Sequence, residues 1–194
     1  MKALDRLLAA VAACRECAPH FAHQPRPVVR AGASARVLVV GQAPGRRVHA
    51  TGIPWNDPSG VRLRQWLEVD EATFYDTTRF AVVPMGFCYP GHGKSGDLPP
   101  RPECAPLWHS KLRAHMPNVR VTLLLSRYAL EHYLGARAKP SVTETVRAWR
   151  EYAPEFVPLP HPSPRNNLWL RRNPWFEREV VPELRRRVRV ALNG

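Results

Sequence analysis

The sequence has few acidic residues. Its 194 residues contain 16 Asp and Glu against 29 Lys and Arg, so the formal net charge is +13. A polyanion is the natural partner of such a chain, because each phosphate that is neutralised releases counterions. The alternative is an arginine-rich surface that only contacts water, and charge alone does not distinguish the two. The last predicted helix concentrates the charge and would give DNA a basic face: Arg185, Arg186, Arg187 and Arg189.

Long apolar runs are also absent. No stretch is long enough to span a bilayer, so we expect neither a transmembrane segment nor a membrane partner. Residues 1–17 are weakly similar to an export signal, but Asp5 interrupts the basic start, and the spacing of Leu and Ala favours an amphipathic helix. We therefore expect a cytoplasmic protein. The length and a hydrophobic content of 44% suit one domain over residues 1–194, which we expect to be a monomer.

Cysteine is scarce, and its four positions are Cys14, Cys17, Cys88 and Cys104. In a reducing cytosol a framework of disulfides is disfavoured. A Cys-x2-Cys pair followed by two distant cysteines is instead typical of a metal or cluster site. Four thiolates of this kind bind either an iron–sulfur cluster or a structural zinc ion.

The apolar stretches that are present alternate with helical patterns. Short strands are predicted over four ranges, residues 35–41, 79–85, 119–125 and 156–159. This order predicts an α/β fold, a three-layer α/β/α sandwich with a central, mostly parallel four-stranded sheet. Ligands bind such sheets at the carboxyl ends of the strands. At those ends this chain carries GQAPG (41–45), MGFCYPG (85–91) and HPSPRNN (161–167).

Two of these loops contain residue types suited to catalysis. In GQAPG the glycines and the proline fix an unusual backbone path and allow close approach of a ligand, although such a pattern also occurs in ordinary turns. In HPSPRNN, His161 stands at a strand end, from which an imidazole can donate to a developing anion. Ser163 and Arg165 supply donors for phosphate. The alternative is a proline-rich surface loop whose histidine has no special role.

Together the two motifs resemble those of the uracil-DNA glycosylase superfamily, whose first motif is of the GxxPG or GQDPYH type and whose second begins HPS or HPA. Residues 41–60 are similar to the extended first motif of the family 4 and 5 enzymes, and HPSPRN resembles the second motif of the single-strand-selective monofunctional enzymes. The resemblance covers nearly the whole chain. It implies a monofunctional DNA-repair glycosylase that flips out and hydrolytically removes uracil, and other deaminated bases, from DNA.

The spacing of the cysteines resembles the cluster-binding pattern of families 4 and 5. This resemblance implies a [4Fe–4S] cluster held by the thiolates of Cys14, Cys17, Cys88 and Cys104. In those families the fourth cysteine opens a helix, as RPECAPLW around Cys104 would do here. A structural zinc site satisfies the same number of ligands and is the alternative.

The resemblance also assigns roles to residues of the two motifs. His161 would stabilise the departing base anion. Trp55 would stack on the flipped base, with packing of the loop as its alternative role. The main chain of Gln42 and Ala43 would contact the base. The residues that would contact DNA are Ser163, Arg165, Asn166 and Leu168, the last as an apolar wedge unless it is simply packed.

Two departures from the family pattern bear on the mechanism. Where relatives have an acid in the first motif, this chain has Gln42 and Ala43, and neither accepts a proton. Asp57, in WNDPSG, matches an acid farther along in family 5, so it would position water or balance the sugar cation, with a helix N-cap as the alternative. The second strand does not end in the Asn with which many relatives read uracil. Main-chain groups from Met85 through Gly86 to Phe87 would then read the base, or a broader pocket would accept other deaminated bases.

Two alternatives to an active glycosylase follow from the same residues. The loss of the acid from the first motif favours a catalytically weak relative that binds damaged DNA. The cysteines alone are also compatible with a cluster-bearing structural or redox protein that has no base pocket. His161 and Trp55 argue against that second alternative, since a redox module needs neither residue.

Overall fold

The fold is built around a parallel sheet, seen in a computed structural model that describes residues 2–94 and 96–194. The strands are β1 (Val37–Val40), β2 (Phe80–Val82), β3 (His92–Gly93), β4 (Gly96–Asp97), β5 (Val121–Leu124) and β6 (Phe156–Pro158). Within the described residues, β2, β1, β5 and β6 pair side by side in that order, and each pair is parallel. The predicted parallel four-stranded sheet is therefore confirmed.

Helices connect the strands along the chain. They are α1 (Ala3–Ala12), α2 (Arg46–Thr51), α3 (Pro58–Leu67), α4 (Glu71–Tyr75), α5 (Cys104–Ala114), α6 (Arg127–Leu134), α7 (Val142–Arg147), α8 (Asn167–Arg172) and α9 (Val181–Asn193). A π-helical turn over Phe176–Val180 precedes α9, so the last helix begins later than the sequence pattern predicts. In the described part of the chain, no helix has the length and apolar character needed to cross a membrane.

The two faces of the sheet are buried against different helices. Along β1, Val37 and Val39 belong to a core that includes residues of α3 and α9, whereas Leu38 and Val40 belong to a core with residues of α1, α5 and α6. Successive residues of a strand face opposite sides, so a strand buried on both faces needs an unbroken apolar run. The sheet is therefore the middle layer of the predicted α/β/α sandwich.

A buried histidine fixes the end of β2. His109, on α5, is 3% exposed. Its Nε2–H donates to the Pro84 carbonyl (2.9 Å), and the Tyr133 hydroxyl donates to its Nδ1 (2.9 Å). Burial lowers the pKa of His109 to about 4 and raises the pKa of Tyr133 to about 12, so at neutral pH the imidazole is uncharged and the tyrosine keeps its proton. These bonds fix Pro84 just beyond the carboxyl end of β2.

The four arginines predicted to form a basic face on the last helix share two acidic partners within the protein. Glu183 pairs with Arg186 and Arg187, and Glu68 pairs with Arg185 and Arg189. The Arg185 guanidinium also donates to the carbonyls of Gln65 and Trp66 at the C-terminal end of α3. Acidic side chains and a neighbouring helix end therefore engage the arginines of α9 and balance part of their charge, and their role in DNA binding stays a prediction.

Replacing His109 with Gln should flatten the dependence of stability on pH. The folded pKa of about 4 lies below the ordinary 6.5, so protonation destabilises the folded state as the pH falls through this window, by about 3 kcal/mol near pH 4. Gln keeps an N–H for the Pro84 carbonyl but does not titrate. Urea unfolding at neutral pH and in mild acid measures the difference. His115→Gln, at the end of the same helix, should behave as wild type. If His109→Gln lost as much unfolding free energy in acid as the wild type, the pH dependence would not come from His109.

Candidate active site

A cleft of about 540 Å³ opens at the carboxyl edge of the sheet. The loops after β1, β2 and β6 form its walls, as expected for parallel strands, and its volume suits a small ligand. Its lining includes most of the residues predicted to act in catalysis or binding: Gln42, Ala43, Trp55, Asp57, His161, Ser163, Arg165 and Asn166. Among the described residues, that lining does not include Met85, Gly86 or Leu168.

His161 is held as a neutral hydrogen-bond donor. The backbone N–H of Ser163 donates to Nδ1 of His161 (3.2 Å), so the proton of the neutral ring lies on Nε2. Burial lowers the pKa of His161, and the nearby Asp57 carboxylate partly offsets this effect. The Asn166 side chain donates to the His161 carbonyl (2.7 Å) and fixes the backbone. At neutral pH the imidazole therefore offers an N–H without a full charge.

Trp55 lies against His161 on the wall of the cleft. The two ring centroids are 5.6 Å apart, and the planes differ by 30°. The backbone of Trp55 has φ +58°, a left-handed conformation that is strained for a bulky residue. Two bonds hold this turn, because Arg64 donates to the Trp55 carbonyl (3.2 Å) and Tyr75 to the carbonyl before it (2.7 Å). A β-carbon at Gly41 would lie 3.1 Å from the indole, so a larger residue there would require Trp55 to shift by a few tenths of an ångström.

Asp57 caps a helix and also faces the cleft. Its Oδ1 accepts from the Gly60 N–H (3.0 Å) at the start of α3, which confirms the capping interpretation. The same carboxylate lines the cleft, and its charge acts on the imidazole of His161. An ionised carboxylate has about four acceptor positions. Capping one backbone N–H therefore leaves Asp57 able to bind water.

The backbone N–H groups of Met85 and Gly86 form hydrogen bonds within the sheet, and neither residue lines the cleft. They donate to the carbonyls of Gly41 and Gln42, each at 2.9 Å, and so extend the pairing of β1 and β2 beyond the strands. The Met85 side chain is buried in the core on the α1 face of the sheet. These two N–H groups are therefore already bonded, and reading of the base by other main-chain groups of this segment stays a prediction. Pro84, immediately before them, lines the cleft instead.

The second-motif loop is braced from α3 by a residue that the sequence analysis missed. Arg62 donates to the Ser163 carbonyl (3.2 Å) and to Oδ1 of Asn167 (2.8 Å). Since its partners lie more than 100 residues away along the chain, no local pattern indicates this role. Arg165 is exposed at the cleft. Leu168, on α8, is 49% exposed outside it, and the wedge role stays a prediction.

The antiparallel pair of β3 and β4 forms a hairpin that borders the cleft. The Asp97 carboxylate lies beside Gly45, and the Arg165 guanidinium packs against Gly96. The Gln42 side chain donates to the Leu98 carbonyl (3.3 Å), which joins the hairpin to the first motif. Asp97 and Asp57 are the acidic side chains that the described residues place in the cleft lining. Asp97 was missed because it belongs to neither motif.

A comparison with known families identifies this arrangement. The model of the uracil DNA glycosylase superfamily matches residues 29–185. The chain belongs to the uracil DNA glycosylase superfamily. The matched range contains both motifs, Cys88 and Cys104, and it begins after Cys14 and Cys17. Membership implies DNA glycosylase activity, so DNA is the partner and an N-glycosidic bond is the bond that is hydrolysed.

The four cysteines of this glycosylase surround one small pocket. Cys14, Cys17, Cys88 and Cys104 all line it, and each is a free thiol. Burial is the main cause that raises the pKa of Cys88 to about 11 and that of Cys104 to about 12, and the neighbouring cysteines add to the effect. Across residues 2–94 and 96–194, no three side chains of Cys, His, Asp or Glu form a group that could hold one metal ion.

Two arginines should differ in their effect on DNA binding. Arg165 is exposed at the cleft, so Arg165→Ala should weaken binding and reduce the slope of log affinity against log salt by about 1. Arg186→Ala removes the same charge from α9, at a residue that pairs with Glu183 and does not line the cleft, and should leave the slope unchanged. Fluorescence anisotropy with an abasic oligonucleotide at several salt concentrations gives both slopes. Equal losses of DNA affinity and of salt slope in the two variants would contradict the prediction that DNA binds at the cleft.

Proposed function

We propose that this glycosylase removes uracil, and other deaminated bases, from DNA. It hydrolyses the N-glycosidic bond and leaves an abasic site. The observation that carries the proposal is the neutral His161, with its proton on Nε2, beside the Trp55 ring in one cleft. A base flipped out of the stack needs a flat surface to pack on, and its departing anion needs a donor. The two side chains supply these two requirements.

The proposed reaction breaks the bond between C1′ of the sugar and the base nitrogen. The electron pair leaves with the base, which becomes an anion, while positive charge builds on the sugar. The Nε2–H of His161 donates a hydrogen bond to the base oxygen on which the negative charge collects, and the ring keeps its proton. A water molecule adds to C1′ and loses one proton to Asp57 or to solvent. The base anion then takes up a proton from solvent.

Asp57 is proposed as the residue that positions the water. Its bond to the Gly60 N–H fixes the carboxylate at the edge of the cleft, and its negative charge opposes the charge on the sugar. Gln42 and Ala43, at the positions where relatives have an acid, line the same cleft but cannot accept a proton. Pro84 lines the wall after β2, where many relatives have an amide side chain, which favours a broad choice of base.

We also propose that the cysteine pocket binds a [4Fe–4S] cluster. Four thiols from three separate parts of the chain line one pocket, which supports the fit. The cluster would join the end of α1 to α5 and to the loop after β2.

A second candidate function is binding of damaged DNA without cleavage. It is favoured by Gln42 and Ala43, which replace the family's acid, and by the bond that engages one oxygen of Asp57 in the helix cap. The same cleft would then hold a flipped base and leave its glycosidic bond intact. The two functions differ in whether free base is released.

Substitutions of His161 and Asp57 should separate their roles. His161→Ala should slow uracil release by on the order of 100-fold or more, because the donor to the base anion is lost. Asp57→Asn preserves the helix cap, so the free energy of unfolding should change little. If Asp57 positions water, this variant should also slow release by on the order of 100-fold.

Rates are measured under single-turnover conditions, so that slow product release does not hide a defect in chemistry. Binding of abasic DNA should persist in both variants. Wild-type rates in Asp57→Asn would reduce Asp57 to a capping role, and wild-type rates in His161→Ala would contradict the proposed mechanism.

The iron content of the protein tests the proposed cluster. Protein purified without oxygen should be brown and contain about four irons per chain. Cys88→Ser should lower the iron content. The control variant Ala13→Ser, beside Cys14, should keep the iron content of the wild type. Stoichiometric zinc without iron in the wild type would contradict the proposal.

A further inference from the structure

One stretch of the chain lies between the cysteine pocket and the cleft. Pro25 and Pro27 both line the cysteine pocket. The next residue, Val28, lines the cleft, and its N–H donates to the Phe87 carbonyl (2.7 Å), adjacent to Cys88. Proline restricts the backbone, so this segment is stiff. Both sites are therefore in contact with the same few residues.

Arg26 lies between the two prolines, and its side chain caps the C-terminal end of α2. Its guanidinium donates to the carbonyls of His49 (2.9 Å), Ala50 (2.7 Å) and Thr51 (3.2 Å). The last carbonyls of a helix have no partner within the helix, and a cation there also opposes the helix dipole. The fit is close, because a β-carbon at Gly52 would lie 2.5 Å from the Arg26 guanidinium. A helix of only six residues depends on such contacts.

A second contact joins the same two parts of the chain. The ring of His23 packs against the ring of His49 on α2, with centroids 4.4 Å apart. Tyr89, which follows Cys88, packs against both rings at 5.4 and 5.8 Å. The segment before β1 thus holds α2 through a guanidinium cap and a group of packed rings.

The end of α2 in turn holds the turn that carries Trp55. The Thr51 hydroxyl oxygen accepts from the Asn56 side chain (2.8 Å) and from the Ile53 N–H (3.2 Å). Asn56 lies directly between Trp55 and Asp57 in the sequence. Arg26 binds the Thr51 carbonyl, and the Thr51 hydroxyl binds Asn56. These two sets of hydrogen bonds connect Arg26 to the turn that carries Trp55 and Asp57.

We propose that Arg26 is a positioning residue, which fixes the Trp55 and Asp57 turn relative to the cysteine pocket. Arg26 is not among the residues that line the cleft, and its guanidinium acts through α2. The proposal rests on the proposed function for its effect on rate, but its structural part is independent of base release.

The test compares Arg26→Ala with wild type and with Arg127→Ala. Arg127 is an exposed arginine on α6, paired with Glu131, so its loss removes the same charge elsewhere. Arg26→Ala should slow single-turnover base release by on the order of 10-fold, because small displacements of positioned groups are costly. Affinity for abasic DNA and iron content should stay near the wild-type values. Arg127→Ala should match wild type in every respect.

Chemical rescue distinguishes positioning from a general loss of stability. Millimolar guanidinium should restore part of the rate of Arg26→Ala, since the ion fits the space left by the side chain, whereas sodium at equal ionic strength should not. Hydrogen exchange of residues 46–57 should be faster in Arg26→Ala and unchanged in Arg127→Ala. Unchanged exchange in Arg26→Ala, or equal changes in both variants, would overturn the proposal. This measurement decides the structural part even if the wild type releases no base, an outcome that would refute only the proposed function.

Discussion

The hydrogen bond from the Ser163 N–H to Nδ1 of His161 is the contact on which the chemistry of the cleft depends. Because Nδ1 accepts this bond, the neutral ring carries its proton on Nε2, and burial keeps the ring neutral by lowering its pKa. Arg62 and Asn166 hold the loop that supplies the bond. The second motif thereby presents one oriented N–H in a partly buried cleft, where such donors are most effective.

Arginine in this chain serves two different purposes. Arg26, Arg62 and Arg64 donate to main-chain carbonyls and hold loops around the cleft, and the arginines of α9 pair with Glu183 and Glu68. Arg165, by contrast, is exposed at the cleft. The large positive charge of the sequence is therefore only partly a surface for DNA. Part of it, at Arg26, Arg62 and Arg64, stabilises the backbone around the cleft.

The sheet and much of the site could be predicted because the signals are local. β1 and β2 are short unbroken apolar runs, as burial on both faces requires, and His161 lies shortly after the last strand in a motif of fixed composition. Residues whose role depends on distant partners were not predictable. The bonds of Met85 to the first motif depend on how β1 and β2 extend beyond their ends. The pairing of Arg189 depends on Glu68, 121 residues away.

The most direct test of the account is release of free base by the wild-type protein with its iron content measured. Oligonucleotides containing uracil, hypoxanthine or xanthine, as single and as double strands, are incubated with excess enzyme, and the released base is separated and identified. The account predicts release of uracil and an abasic site left in the strand. Tight binding to these oligonucleotides with no release from any of them would contradict it and would establish a protein that binds damaged DNA without cleaving it.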